Sequence, residues 1–515
     1  MTTQNPITVL EDVPVKQRGQ YKTTTILHCI GVSWGIFAYG YIASIIGTTI
    51  GQPTFYLAMG LTGHNTAAIL GAANALFFFG GAVGSLVVAV FADKYGRRPF
   101  ITIGTIVMLV STALVAGSVH IAMFIVFRFT GAIGGYMVLT AVPLWITETV
   151  PPRGRGVLND INPIFLNLGY LTASWTGVGI FFYKGPAAWR IPFAIACGPC
   201  LICLLCVWFV PESPRFLLLQ GRSEEAWKIV SSLHTWHGDD TFARLEFEQM
   251  NQQINFDRSL KGGWREMARR PSYRKRCIMA VILVFTMMNS GILVITNYGT
   301  IIYSQLGYDN KQQLFLQAGY LTAATFANMS AVLFVDRISR PLLVTIGMGG
   351  CIVSLIAETA LIAKYAASTN LAGLRAAVAF LYIYVFFFGA FLDGPTWWYT
   401  PEFFPMHLRA HGIAISTATY AITNIIWTAS APTAFANIGW KYYLFFIILS
   451  TIGTVYIWFT FPDTKNKPLE EVAALFGDND IVVALQANGF TGTGQEKDVV
   501  QERETMPKPA TIQSK

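Results

Sequence analysis

The sequence predicts an all-α membrane protein whose twelve spanning helices form two similar six-helix halves. Three observations carry this expectation. Charged residues make up only 12% of the 515 residues and hydrophobic ones 53%, whereas a soluble domain carries roughly 25% charged residues. The apolar residues gather into long runs, and about 20 of them cross a hydrocarbon core of about 30 Å. Short charged motifs recur in both halves of the chain. Composition also excludes a disordered chain, a coiled coil and a secreted disulfide scaffold, since seven Cys are too few for a framework.

The runs fall at 26–50, 67–91, 100–117, 121–147, 157–182 and 191–210, then at 277–303, 315–335, 342–363, 376–398, 411–431 and 441–461. The first is too long for a signal-peptide core, and residues 1–25 before it are polar. Orientation follows from Lys and Arg, which favour the cytoplasmic side. With the N-terminus inside, cytoplasmic segments hold about 29 of the 36 basic residues. The predicted order is a cytoplasmic tail 1–25, a six-helix bundle 26–210, a cytoplasmic loop 211–276, a second bundle 277–461 and a cytoplasmic tail 462–515. In the loop, Ser223–Ser232 reads as a helix with Ser223 as N-cap, followed by Glu224 and Glu225. The last 25 or so residues of the tail have the composition of a disordered segment.

Three motifs repeat in the same order at a spacing of about 250 residues, the signature of an internal duplication. Asp93-Lys94-Tyr95-Gly96-Arg97-Arg98 matches Asp336-Arg337-Ile338-Ser339-Arg340. Glu148 with Pro151 and Arg155 matches Glu402 with Pro405 and Arg409. Pro211-Glu212-Ser213, followed by Arg215, matches Pro462-Asp463-Thr464. Each motif sets acids and bases at a cytoplasmic helix end, where low dielectric strengthens their pairing. Asp93 with Arg97 and Arg98, Glu148 with Arg155, and Glu402 with Arg409 are the expected gating pairs. Duplicated halves are the architecture of an alternating-access carrier.

At these residues the chain resembles the major facilitator superfamily, and within it the fungal type of the sugar porter family. The loop motif Asp93–Arg98 and the segments Pro143-Leu144-Trp145-Ile146-x-Glu148, Pro211-Glu212-Ser213-Pro214-Arg215, Tyr399-x-x-Glu402 and Pro462-Asp463-Thr464-Lys465 are similar to that family's signatures. The resemblance implies the major facilitator fold and transport of a small organic solute, by default a sugar or polyol. Departures from the family pattern concentrate inside the membrane. Gly40-Tyr41 is followed by Ile42 where the family's symporters carry a proton-coupling Asp, while the helix 4 Arg is present as Arg128. Sugar-contacting Gln and Asn positions fall at Pro163, Met287, Met288 and Leu293, and the helix 10 Trp position at Asp393; Asn424 is retained. These changes argue against a standard hexose.

A polar side chain in a membrane helix is costly unless it meets a partner or a cavity. The candidates read directly are Arg128, Asn159, Asp160, Asn162, Asn167, Asn289, Asn297, Asn328, Glu358, Asp393 and Asn424. The expected substrate contacts are Asp393, Trp397, Asn162, Asn289, Asn297, Asn424 and Arg128. Asp393 lies nine residues before Glu402, roughly 13 Å from that helix end, and Gly394-Pro395 should disturb the helix beside it. Arg128 keeps its charge, so it needs an acid, helix carbonyls or an anionic substrate. Asp393 and Glu358 are also candidates for proton coupling.

Cys197, Cys200, Cys203 and Cys206 have cluster-like spacing, but three-residue steps spread thiols round a helix, and they read as small apolar residues. His234, His237, Asp239 and Asp240 read as a solvated turn. Asn328-Met329-Ser330 matches a glycosylation pattern inside a helix and is discounted. Neither a Walker motif nor a nucleophile constellation is visible, so the chain is not expected to be an enzyme, and no cofactor or metal is expected. The expected partners are a small-molecule substrate, the lipid bilayer and protons as a coupling ion, with no nucleic acid, for a monomer in the plasma membrane. Transport or export of an organic acid or fungal secondary metabolite, and a non-transporting nutrient sensor, are the alternatives.

Overall fold

The computed structural model describes residues 22–50, 52–61, 66–150, 158–159, 161–183, 185–235, 239–259, 263–331, 337–365, 370–405, 408–465 and 475–478. Among the described residues, twelve long helical segments form the two halves. The first six are α1 (Thr23–Thr49), α2 (Thr66–Tyr95), α3 (Arg98–Ala116), α4 (Ile121–Thr149), α5 (Ile161–Phe181) and α6 (Ala188–Phe209). The second six are α7 (Pro271–Gln305), α8 (Asn310–Ser330), α9 (Arg340–Tyr365), α10 (Leu371–Glu402), α11 (Arg409–Asn437) and α12 (Gly439–Thr460). The predicted spans fall inside or within a few residues of these bounds. Among the described residues ten are long and apolar enough to cross a bilayer by composition. The other two, α8 and α11, carry Gln313, Gln317 and Asn328 and a series of Thr and Ser residues, and they are the helices that pack against the opposite half.

Burial sorts the helices into layers. The most apolar stretches of α1 and α7 are 78% buried, against 33% for α6 and 28% for α12. The first pair is central and the second peripheral, at matching positions of the two halves. Trp208, Phe209, Ile452 and Phe459 accordingly point outward from α6 and α12. The halves meet along α2 with α11 and α5 with α8. Lipid tails are as apolar as Leu, so these contacts rest on close packing and interhelical hydrogen bonds rather than on the hydrophobic effect.

Three spans are interrupted, each for a local reason. Asn289–Gly291 separates Pro271–Met288 from Ile292–Gln305 in α7; Gly291 sits at φ 82°, and Asn289 Oδ1 accepts from Trp427 Nε1 at 2.8 Å. In α10 the turn Gly389–Asp393 is π-helical. Pro395 has no N–H for the Phe391 carbonyl, and a wider turn absorbs the mismatch. The helix therefore continues through Gly394-Pro395 with a bulge rather than a break. In α6, Pro199 leaves the Ile195 carbonyl without its helical donor, and the helix breaks at Ala196.

The loop 211–276 holds more structure than expected, with helices at Pro214–Leu219, Ser223–His234, Thr241–Ser259 and Trp264–Arg269. Ser223 is the first helical residue rather than the cap; Arg222 stands at the cap and pairs with Glu225 at 2.5 Å. His234 is buried, not part of a solvated turn. Its ring nitrogens lie 2.6 Å from Glu246 and 3.0 Å from the Thr149 carbonyl, which ties the loop helices to the end of α4. His237 lies outside the described residues. The cysteines are free, and Cys203 packs against Gly35 and Thr105 as a small apolar side chain would.

Candidate functional site

Between the halves lies a pocket with about 320 Å³ of non-atom space. Its walls are Tyr39, Ala43 and Ser44 of α1, Asn74, Phe77 and Phe78 of α2, Arg128 of α4, Tyr170 of α5, and Leu293, Thr296 and Asn297 of α7. Four helices of the first half and the broken helix of the second thus enclose it. Broken helices expose backbone polar groups only where a cavity or a partner receives them.

The end carrying Arg97, Glu148, Arg340 and Glu402 is here called the basic end. At the opposite end the pocket is sealed by contacts between halves. Thr300 Oγ1 of α7 donates to the Gly47 carbonyl of α1 at 3.2 Å. Asn74 Nδ2 of α2 donates to Tyr298 Oη of α7 at 2.7 Å, and that hydroxyl donates to the Thr428 carbonyl of α11 at 2.9 Å. The last acceptor has a clear origin. Pro432 lies four residues beyond Thr428 and has no N–H to offer it. Tyr298 also departs from helical geometry, at φ −116° and ψ 16°. At the basic end the matching pair, α4 and α10, shares no hydrogen bond or ion pair among the described residues.

Arg128 is 2% exposed. Its guanidinium lies 4.8 Å from the Phe77 ring centroid and 5.9 Å from that of Phe124. One long bond, Nη2 to Asn74 Oδ1 at 3.4 Å, is its only hydrogen bond among the described residues, and Nε and Nη1 have no acceptor there. Asp393 is engaged elsewhere. Its Oδ2 accepts from Asn167 Nδ2 of α5 at 3.2 Å and from Asn328 Nδ2 of α8 at 2.8 Å, so it joins the halves. Tyr170 lies on the pocket wall. Glu358 is completely buried in the second half with Tyr443 beside it.

Of the other expected contacts, Asn297 lines the pocket. Asn162 instead accepts from Ser33 at 3.1 Å and donates to Asn159 at 2.9 Å, packing α5 on α1. Asn289 serves the α7 break, and Asn424 Nδ2 donates to the Tyr420 carbonyl at 2.7 Å and to Met288 Sδ at 3.2 Å. Trp397 lies 5.6 Å from Tyr420, whose ring neighbours Tyr136 and Phe78, both at 6.4 Å. Tyr39 contacts Phe77 and Tyr136 in turn, so an aromatic layer spans both halves beside the pocket. Sequence reasoning passed over Asn74, although an Asn inside the run 67–91 carries the same signal as the other polar residues.

The basic end holds two networks that repeat each other bond for bond. Arg97 grips Glu148 with Nε and Nη2, both at 2.8 Å, and Ser213 Oγ donates to the same carboxylate at 2.5 Å. The backbone N–H of Arg97 donates to Glu212 at 3.1 Å, and Trp145 Nε1 to the Pro211 carbonyl at 2.9 Å. In the second half Arg340 donates to Glu402 at 3.1 Å, and Thr464 Oγ1 donates to the same carboxylate at 2.5 Å. There the Arg340 N–H donates to Asp463 at 3.1 Å and Tyr399 Oη to the Pro462 carbonyl at 2.7 Å. Gly96 allows the first network to close. It has φ 98°, and a Cβ there would stand 2.5 Å from Glu212 Oε2.

Glu402 pairs with Arg340, which opens α9 directly beside the end of α10. Arg337 is exposed. Arg98 donates its backbone N–H to Glu212 at 3.2 Å and its guanidinium to the Trp208 carbonyl at 3.0 Å. Arg215 lies in the helix Pro214–Leu219 beside Ser213. The bonds described here each lie within one half and fix helix ends inside a bundle. Arg155, Asp160, Asp336 and the side chain of Asp93 lie outside the described residues.

Two six-helix halves around an inter-half pocket define a membrane carrier of the major facilitator fold. Residues 28–476 match the family model described as "Sugar (and other) transporter", and the chain belongs to that family. It is 27% identical to the MFS-type transporter criB of Aspergillus cristatus, over 89% of this chain and 94% of that one. It is 28% identical to a high-affinity glucose transporter of Kluyveromyces lactis, over 88% and 84%. Among solved structures, the xylose transporter XylE from E. coli in a partially occluded inward open conformation shares the fold. The TM-score is 0.73 at 20% identity, covering 87% of this chain and all of that one.

Proposed function

We propose that this chain is a secondary carrier of a small organic solute that works by alternating access. The basic end and both termini face the cytoplasm, and the membrane is the plasma membrane. One observation carries this reading. The pocket is built from both halves and closed at one end by contacts between them, while among the described residues α4 and α10 share no such bond at the other. Breaking the contacts at Gly47 and Asn74 opens one side, and bringing α4 toward α10 closes the other.

Residues 26–210 and 277–461 are the moving bodies in this cycle. The networks around Glu148 and Glu402 act as braces that let each half rock as a unit. The pocket wall offers Ser44, Asn74, Thr296 and Asn297 between aromatic rings, a non-standard set for a hexose. Asp393 connects α5 to α8 through its two Asn donors, at the seam across which the halves rock.

Uptake and efflux of a labelled solute panel, in cells lacking their own carriers, tests the reading. Saturable movement of at least one solute is expected, and Asp393→Asn is the informative variant. Both Asn donors reach the same oxygen, which an amide can supply, so the variant keeps both bonds but loses their charge assistance, at about 1–3 kcal/mol. Transport in that variant should fall about tenfold, since each 1.4 kcal/mol is a factor of ten. Unchanged transport would remove Asp393 from the working seam.

A further inference from the structure

We propose that the transported solute is an organic acid and that Arg128 binds its carboxylate. This rests on the pocket being the transport site and adds the chemical class of its ligand. Arg128 is seven residues into α4 from the sealed end, about 10 Å along the helix, and about 30 Å from the basic end. A guanidinium stays charged there, and an unpaired buried charge is strongly unfavourable. Phe77, Phe124 and one long bond to Asn74 offset only part of that cost.

The described residues supply no acid to it. Within 29–92, 99–147 and 161–211, the membrane part of its own half, there is neither Asp nor Glu. Residues 277–461 hold five acids, of which Asp336 and Glu402 belong to the repeated motifs; the other three are Asp309, Glu358 and Asp393. Asp309 is the exposed N-cap of α8, where it receives Gln312 N–H at 3.1 Å. Asp393 is held by Asn167 and Asn328, and Glu358 is enclosed inside the second half. None of the three forms an ion pair with Arg128.

Arg128, with its unused donors, lines the pocket together with Asn74 and Asn297. A planar carboxylate fits the guanidinium fork in two parallel bonds. Ser44, Asn74, Thr296 and Asn297 then suit hydroxyl groups on the same molecule, and Tyr39, Phe78 and Leu293 an apolar or ring face. A lining of one guanidinium, four short polar side chains and an apolar face suits a compact metabolite bearing one carboxylate.

The test uses the purified full-length protein in lipid nanodiscs with three matched probe pairs: acetate against acetamide, benzoate against benzamide, and gluconate against sorbitol. Binding is read by thermal protection. The acid of at least one pair should bind about tenfold or more tightly than its neutral partner, the gain expected of a charged hydrogen-bonded contact. Arg128→Gln should abolish that preference, and Arg128→Lys should weaken it while keeping its sign. Without ligand, Arg128→Gln should unfold at the same temperature or higher, because an uncompensated charge has been removed. No acid preference in any pair, or the same preference in Arg128→Gln, overturns the proposal. So does a marked loss of ligand-free stability in Arg128→Gln, which would mean that the charge is satisfied within the fold. Saturable uptake of labelled sorbitol or glucose with no acid preference would sink this inference alone. An Arg128-dependent acid preference in a protein that moves no solute would sink the carrier reading alone.

Discussion

Replacing Glu148 by Gln should be among the most damaging single changes in the membrane region. The Arg97 and Glu148 side chains are 4% and 10% exposed, and the carboxylate receives two guanidinium bonds and the Ser213 hydroxyl. Removing one partner of a buried pair leaves a buried charge unpaired, at about 3–5 kcal/mol. The second network is wetter, with Arg340 13% and Glu402 30% exposed, and solvent screens such a pair toward the surface range of about 0–1 kcal/mol. Glu402→Gln should therefore lower stability clearly less than Glu148→Gln, despite the shared bond pattern. Thermal unfolding of both variants in nanodiscs reads this order. Arg97→Met combined with Glu148→Gln should recover part of the loss, because the buried charge that Glu148 held goes too. Equal effects from Glu148→Gln and Glu402→Gln would show that burial does not set the strength of these braces.

The second large effect is expected at Gly71, where α2 meets α11 across the halves. A Cβ at this position would stand 2.5 Å from the Ala429 carbonyl oxygen. The obstacle is backbone, so no side-chain rotation relieves it. Overpacking of this kind costs about 1–3 kcal/mol, and here it applies only while the sealed end is closed. Gly71→Leu should therefore shift the balance between the two states about 5- to 150-fold toward the one open at that end. Transport should fall by about tenfold or more while the protein stays folded. Full transport by Gly71→Leu would mean that α2 and α11 do not need this close approach.

Much of this was readable from the chain because lipid imposes simple rules. Length and hydropathy give ten of the spans, and the duplicated motifs give the division into halves. The repeat also pointed to Arg340 as a partner of Glu402, since Arg340 occupies the place of Arg97. His234 read as solvent-facing because its neighbours are polar. Ala226, Val230 and Leu233 at helical spacing were the sign that this face turns inward.

The pocket was legible only in part. Arg128 and Asn297 stand out as polar residues in apolar runs, and both line it. Asn162, Asn289 and Asn424 carry the same signal but serve helix packing, and one chain's pattern does not separate a buried partner from a cavity wall. The seal through Asn74, Tyr298 and Thr428 needs the register of three helices from two halves. Pro432 was its one sequence trace, a proline that leaves Thr428 with a carbonyl to fill.

The most direct test places a single cysteine at the pocket, Asn297→Cys, in a chain whose seven native cysteines are replaced. A membrane-impermeant maleimide is applied from one face and then from the other, with and without Gly71→Leu. Alternating access requires faster labelling from the basic side in the parent and faster labelling from the opposite side once Gly71 is replaced. Rapid labelling from both sides in one and the same variant, or a preferred side that Gly71→Leu leaves untouched, would contradict it.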